Sequence, residues 1–193
     1  MTDVSRETML RTYFDLLQLW SSKINLISST GTSDPWARHI DDSLQLVPLV
    51  KAQESRILDL GSGGGLPVIP LAISLPDRHV MAVESDQRKA EFLRTVRRQL
   101  ALENLEIIAE RSETLAPAGA DLITARGFAP LPRLLHHALR HLKPDGRALL
   151  LKGKSLKDEL KEATKEWRFS HDIHPSVTDP DAGILEIQGL HHA

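Results

Sequence analysis

At 193 residues the chain is the right size for one hydrophobic core. Its 41% hydrophobic and 26% charged residues are those of an ordinary globular protein, and no apolar run approaches the roughly 18 residues of a membrane-spanning helix. With no cysteine, disulfides, thiolate metal sites and cysteine nucleophiles are excluded; the polar start MTDVSRETML lacks the basic-then-apolar layout of a secretory signal, so the expected location is cytoplasmic. Lys and Arg number 24 against 26 Asp and Glu, a formal charge of -2, so any contact with nucleic acid must rest on a local patch.

Taken in chain order, residues 5–20 carry Met9, Leu10, Tyr13, Leu16, Leu17 and Trp20 at three- and four-residue spacings, the stripe of an amphipathic helix. The loop KINLISSTGTS follows. Asp34-Pro35 then reads as an N-cap with proline at the first helical position, opening a helix to about residue 47, where Pro48 stops it. Beyond residue 55, β-branched runs alternate with helical stretches. Strands are expected at 56–60, 79–84, 105–109, 121–125 and 147–152, and helices at 67–74, 86–100, 131–142 and 155–167. Such alternation implies a parallel sheet covered on both faces. The last two apolar runs, 169–177 and 184–190, have only TDPDAG between them, too short for a crossover, and are expected to pair antiparallel. The expected organisation is one domain over 1–193, with residues 1–50 as a helical extension of an α/β core at 55–193.

One stretch carries the chemistry. Ile57-Leu58-Asp59-Leu60-Gly61-Ser62-Gly63-Gly64-Gly65-Leu66-Pro67 is an apolar strand with an acid near its end and a glycine turn into a helix, the layout of a nucleotide-binding turn. Dinucleotide binding asks for G-x-G-x-x-G, whose third glycine falls at position 66, and Leu66 occupies it. An acid two residues before Gly61, with glycines at 63 and 65, instead suits S-adenosylmethionine. That ligand has no phosphate but a cationic amino acid end, which a carboxylate such as Asp59 attracts. Glu84 ends the next strand, where a carboxylate accepts both ribose hydroxyls. The turn LKPDG, residues 142–146, leads into a later strand.

Charge is unevenly spread. Residues 126–157 hold eight basic side chains, among them Arg126, Arg133, Lys152, Lys154 and Lys157, against the single acid Asp145, and from residue 166 onward the balance reverses. This segment is the expected RNA-facing patch, with Lys152 closing a strand as a phosphate contact. Arg88 lies on a basic helix face whose plainest reading is a solvated surface. His39, one helical turn before Asp42 and Ser43, reads as a bridged histidine supporting its helix. Neither His136-His137 nor His191-His192 has further ligands at metal spacing, and no H-E-x-x-H occurs, so no metal is expected.

The blocks WSSKINLIS, RHIDDSL, DLGSGGGLPVIPLAI, RSE, TARGFAPL and LLKGK, set between residues 20 and 154, resemble the RsmG (glucose-inhibited division protein B) family of bacterial 16S ribosomal RNA guanine-N7 methyltransferases, and the resemblance covers nearly all of the chain. Departures from the family pattern include Ser21 for asparagine, Asp41 for an apolar residue, Val68 for a second glycine, Gly127 for alanine and a C-terminus, GLHHA, without basic residues. The resemblance implies a doubly wound, Rossmann-like seven-stranded methyltransferase sheet, mostly parallel with an antiparallel C-terminal strand, preceded by N-terminal helices. It implies S-adenosylmethionine held by Asp59, Gly61, Ser62, Gly63, Gly65, Leu66, Glu84, Ser112, Glu113 and Arg126, with Arg126 and Arg111 serving transfer. Arg88, Lys152 and Lys154 are then RNA contacts, and His39 and Asp42 structural supports. The expected partner is 16S ribosomal RNA or a small-subunit assembly intermediate, met by a monomer without membrane contact. Guanine N7 has a free lone pair, so its methylation needs no general base, in keeping with a chain that offers Arg126-Gly127-Phe128 where amino-methyltransferases carry a D/N-P-P-Y/F segment. Arg126 has a structural alternative, pairing with Asp59 or Glu110. The rival functions are a small-molecule or protein methyltransferase, and a non-catalytic RNA-binding assembly protein that retains the cofactor pocket.

Overall fold

Seven strands order as β3-β2-β1-β4-β5-β7-β6 in a computed structural model that describes residues 3–27 and 34–193. The strands are β1 (Arg56–Leu60), β2 (His79–Val83), β3 (Leu105–Ile108), β4 (Ala120–Arg126), β5 (Leu142–Lys152), β6 (Trp167–Pro175) and β7 (Gly183–His192). The first five pair in parallel, and β7 runs antiparallel between β5 and β6. The Rossmann-like sheet and its antiparallel C-terminal strand thus agree with expectation. β1 starts and stops at the expected residues because its apolar run is short, continuous and buried on both faces, as a central parallel strand must be.

The strand alternation divides the core. Ile57, Val80, Leu122 and Leu149 face one side, where α1 (Asp3–Ser21), α3 (Val68–Ser74) and α4 (Gln87–Gln99) contribute Tyr13, Leu17, Ile69, Phe92 and Leu93. Leu58, Met81, Ile123 and Leu150 face the other, against α5 (Leu131–His141) and α6 (Leu156–Ala163). α1, α4, α5 and α6 each bury one face while α3 is buried almost all round, and with helices on both faces the sheet is doubly wound. Asp86 caps α4 by accepting from Arg88 N at 2.8 Å and Lys89 N at 3.4 Å.

Several expectations are corrected. Asp34 does accept from Ala37 N at 2.9 Å, as an N-cap should. The helix it opens, however, widens into a π-helical turn (Ala37–Asp41), continues as α2 (Asp42–Leu44) and ends before residue 47; Pro48 sits inside a 3-10 turn (Val47–Leu49) rather than stopping a helix. Wider π turns form where side chains must be re-aimed, and this one aims His39 and Asp42. The helix expected at 155–167 ends at Ala163; Trp167 begins β6, buried against α5 and its neighbours. LKPDG is not a free turn but the bulged start of β5, where the register on β4 shifts between Ala120 and Leu122. Residues 28–33 of the expected loop after α1 lie outside the described residues.

Candidate active site

All five parallel strands end at the same edge, and the chain reverses direction across the sheet between β1 and β4, the place where open α/β sheets bind ligands. A cleft of about 890 Å³ opens there, lined by residues that include Gly61, Ser62, Gly63, Leu66, Glu84, Arg111, Ser112, Glu113 and Arg126.

The glycine turn is held from below. Gly61 N and Ser62 N donate to Val83 O at 2.9 and 3.0 Å, and Gly63 N donates to Glu84 Oε2 at 2.8 Å. Glu84 also accepts from Asp86 N at 2.7 Å, so its carboxylate is fixed at the β2 end with acceptor capacity left over. The glycines divide the work. A Cβ at Gly63 would meet only Gly61 O, at 3.8 Å, so that position faces open space; one at Gly61 would collide with the Phe128 ring. Gly65 does not line the cleft: a Cβ there would sit 2.5 Å from Ile69 Cγ1 and 3.2 Å from the Tyr13 hydroxyl. Its bareness lets α1 close on the turn, and Tyr13 donates to Gly64 O at 2.7 Å from a fully buried position. Nothing in the helical stripe distinguished Tyr13 from a plain core residue.

Asp59 lies buried behind the turn. Thr124, its register partner on β4, donates to Oδ1 at 2.8 Å, while Oδ2 has no partner. Burial pushes this carboxyl up to about 7; the hydrogen bonds of Ser62 and Thr124 oppose the shift, the negative charge of Glu84 adds to it and the positive charge of Arg126 opposes it. An orphaned carboxylate oxygen beside bare, open backbone is the donor set that suits a cationic amino acid ligand.

Past β3, the Ser112–Glu113 turn forms another wall. Arg111 is exposed, three residues beyond the end of β3. Ser112 is buried, its hydroxyl 2.9 Å from His137 Nδ1 and its carbonyl accepting from His141 Nε2 at 2.9 Å, so its side chain faces α5. Glu113 is half exposed, 3.7 Å from Arg133. Its carboxyl sits below the usual range, chiefly through a backbone hydrogen bond.

Arg126, which ends β4, is paired with neither Asp59 nor Glu110. It donates to Asp42 Oδ2 at 2.8 Å, to Arg38 O at 3.1 Å and to His39 Nδ1 at 2.8 Å. Accepting through Nδ1 requires an unprotonated imidazole, and burial, with the positive charges of Arg126 and Arg38, lowers His39 to about 4. Asp42 also accepts from Gln45 Nε2 at 2.9 Å and Thr178 Oγ1 at 3.0 Å. The π-helical turn, the end of β4 and the β6–β7 loop therefore meet at one carboxylate, and His39 and Asp42 are supports of Arg126 rather than of their own helix alone.

The basic segment largely disperses once folded. Arg147 is buried between Glu54 and Glu186, Lys143 pairs with Asp121 at 2.5 Å, and Arg140 donates to Leu115 O. Lys152, expected to touch phosphate, is 9% exposed and donates to Glu159 at 2.7 Å and Ala129 O at 3.0 Å. Sequence counting registers charges but not distant partners such as Glu54. Lys154 and Lys157 remain exposed, and Arg88 is 76% exposed beside Asp86. The basic side chains lining the cleft are Arg38, Lys89, Arg111, Arg126, Arg133 and Lys152; Arg126 is engaged by Asp42 and Lys152 by Glu159, which leaves Arg38, Lys89, Arg111 and Arg133, of which only Arg133 lies in that segment. Among the described residues no cluster of three metal-ligating side chains occurs, and no helix is long and apolar enough to cross a membrane.

Solved structures share the fold at low identity. The chain superposes on the cofactor-bound Rv0187 from MTB with a TM-score of 0.66 at 15% identity, covering 94% of this chain and 90% of that one. For the O-methyltransferase from Bacillus cereus in complex with SAH the TM-score is 0.62 at 15% identity, with coverages of 97% and 92%. Sequence relatives are much nearer. The ribosomal RNA small subunit methyltransferase G of Paracoccus denitrificans is 48% identical over 191 residues, spanning 98% of this chain and 99% of the relative. That of Gluconobacter oxydans is 48% identical over 189 residues, 97% of this chain and 96% of the relative. The family model for GidB, rRNA small subunit methyltransferase G, matches residues 6–186, and the chain belongs to that family.

Proposed function

We propose that this chain transfers the methyl group of S-adenosylmethionine to N7 of a guanine in 16S ribosomal RNA. The observation that carries the reading is the cleft at the β1–β4 reversal, where the open face of Gly63 and the fixed carboxylate of Glu84 form the wall and the orphaned oxygen of Asp59 lies buried behind the glycine turn, outside the lining itself. Membership of the rRNA small subunit methyltransferase G family supports the class of reaction and substrate. Asp59 and the turn from Gly61 to Gly63 would hold the amino acid end, Glu84 the ribose, and Leu66 with the Ser112–Glu113 turn the remainder.

When bound, S-adenosylmethionine supplies an electrophilic methyl group on a sulfonium centre. The protein's own task is then placement and charge balance, because N7 presents its lone pair without losing a proton. His39, the histidine at the Arg126 end of the cleft, is held neutral and engaged by Arg126, in keeping with a site that needs no general base. Arg126, anchored by Asp42 and His39, would use its guanidinium at the rim of the cleft to orient guanine O6 or a phosphate by hydrogen bonding, with Arg111 in the lining on the β3 side. Phe128 covers Gly61 and so shapes the floor between the two halves.

The RNA reading rests on the rim cations Arg38, Lys89, Arg111 and Arg133, with Arg88 and Lys154 outside them, rather than on Lys152. We read residues 1–193 as one methyltransferase domain acting as a cytoplasmic monomer, with residues 1–50 as its helical extension. The test is methylation of 16S ribosomal RNA, naked and in small-subunit particles, followed by mass mapping of the modified nucleotide. Methyl incorporation at a guanine N7 is the expected result. Incorporation elsewhere, or none with either substrate, overturns the reading.

A further inference from the structure

Outside the lining of the cleft, α5 carries two buried histidines one turn apart, and both face the same residue. His137 Nδ1 lies 2.9 Å from Ser112 Oγ, and His141 donates Nε2–H to Ser112 O at 2.9 Å. His137 and His141 are 5% and 0% exposed on a helix whose other buried positions are Leu131, Leu134, Leu135 and Ala138, where an inert core would take another apolar side chain. Burying two imidazoles has a desolvation cost that only satisfied hydrogen bonds offset, and here both bonds go to one serine of the site.

The ring states follow from the geometry. His141 must carry its proton on Nε2 to reach the carbonyl, and its Nδ1 is buried without a partner, so protonation there is opposed. His137 Nε2 faces Glu113 Oε1 at 4.0 Å, which places its proton on that side and leaves Nδ1 as the acceptor of the Ser112 hydroxyl. The same His137 ring meets Phe128 edge to face, with centroids 5.1 Å apart, and Phe128 occupies the space that a side chain at Gly61 would need. One imidazole therefore touches the turn after β3 and the loop after β4, and through Phe128 it reaches the turn after β1.

We propose that His137, backed by His141, is a positioning residue for the cofactor: it locks the Ser112–Glu113 turn and the Phe128 ring in register with the glycine turn, setting affinity for the adenosine end without touching the ligand. This rests on the cofactor reading above. Neither histidine lines the cleft, so neither is a catalytic residue.

The probe is S-adenosylhomocysteine, titrated calorimetrically into the full-length protein, with kcat measured separately at saturating S-adenosylmethionine. His137→Phe keeps the ring contact with Phe128 but removes the nearer acceptor, leaving the Ser112 hydroxyl only its 3.4 Å bond to Glu113, and should weaken binding on the order of tenfold while kcat stays within about twofold. His137→Asn, which restores an acceptor near the Nδ1 position, should recover most of the loss. Ser112→Ala should match His137→Phe, and the double variant should be no weaker than either, because both remove the same bond. Losses that multiply in the double variant, a fall in kcat with unchanged affinity, or parental affinity in both single variants would overturn the proposal. Should His137→Phe fail to fold, His137→Leu, smaller and equally without an acceptor, is read in its place, and parental affinity there again overturns the proposal. A parent protein that does not bind S-adenosylhomocysteine refutes instead the cofactor reading on which the proposal stands.

Discussion

Replacing Arg126 with alanine strips three acceptors of their donor at once: Asp42 Oδ2, Arg38 O and His39 Nδ1. The side chains of Arg126 and Asp42 are 21% and 16% exposed, so water restores only part of what is lost. Charge-assisted hydrogen bonds are worth about 1.5–3 kcal/mol each when buried, and discounting for partial solvation leaves roughly 2–4 kcal/mol for the set. For a chain of this length each 1 kcal/mol moves the thermal midpoint by about 2–4 °C, so a fall of roughly 4–15 °C is expected. Asp42→Asn keeps an amide oxygen facing the guanidinium and should lose only about 1 kcal/mol. Thermal midpoint, S-adenosylhomocysteine affinity and single-turnover methylation are to be read on Arg126→Ala, Arg126→Lys and Asp42→Ala together. If Arg126 serves transfer directly, Asp42→Ala, which frees the guanidinium without deleting it, retains more activity than Arg126→Ala. Arg126→Lys remains poor, because one ammonium cannot span the three acceptors. An Arg126→Ala protein that melts with the parent would show that this junction is not formed in solution. One that melts early yet methylates at the parental rate would reduce Arg126 to a structural tie.

Asp59, with its carboxyl raised to about 7 against about 3.9 in an unfolded chain, stabilises the ligand-free protein only at low pH and loses that contribution as pH rises through 7. His39, His137 and His141 have lowered pKa values and act in the opposite sense, so the readout is a difference: Asp59→Asn should melt above the parent at pH 8, converge with it only as pH falls to about 4, and bind S-adenosylhomocysteine more weakly. Parallel melting curves across that range would refute the assignment. Lys152→Met should destabilise by about 1–3 kcal/mol through Glu159 and leave the salt dependence of RNA binding untouched, whereas Lys154→Ala should flatten its slope by about 0.7. The reverse pattern would return Lys152 to the RNA surface. Tyr13→Phe leaves the Gly64 carbonyl without its donor and should lower stability by about 1–3 kcal/mol with a parallel loss of S-adenosylhomocysteine affinity. Unchanged affinity would confine Tyr13 to the core.

The parts legible in the sequence are those fixed by local pattern. β1, the glycine turn and the stripe of α4 depend on runs of neighbouring residues, and Asp59, Gly61, Gly63 and Glu84 stand at strand ends that the turn chemistry marks. The illegible parts are pairings across long separations. Arg147 reads as part of a basic patch until Glu54, 93 residues away, is seen beside it. Thr124 looks like an ordinary strand residue until the parallel register sets it opposite Asp59, and His137 looks like half of a histidine pair without further metal ligands until Ser112 folds onto it. Trp167 continues the helical spacing of α6, but its burial against α5 is a tertiary matter that local propensity does not register.

The last strand of the chain is an interior strand of the sheet. β7 lies between β5 and β6, and Glu186 on it supplies a carboxylate to buried Arg147 at 2.9 Å and to His174 at 2.9 Å. A premature stop just before Gly183 would therefore not trim a loose end. It would unzip the hairpin, bare the Leu149–Leu151 edge of β5 as a template for pairing with other chains, and leave a guanidinium buried with half its counter-charge. Chains truncated before Gly183 should thus aggregate rather than persist as weakened enzyme.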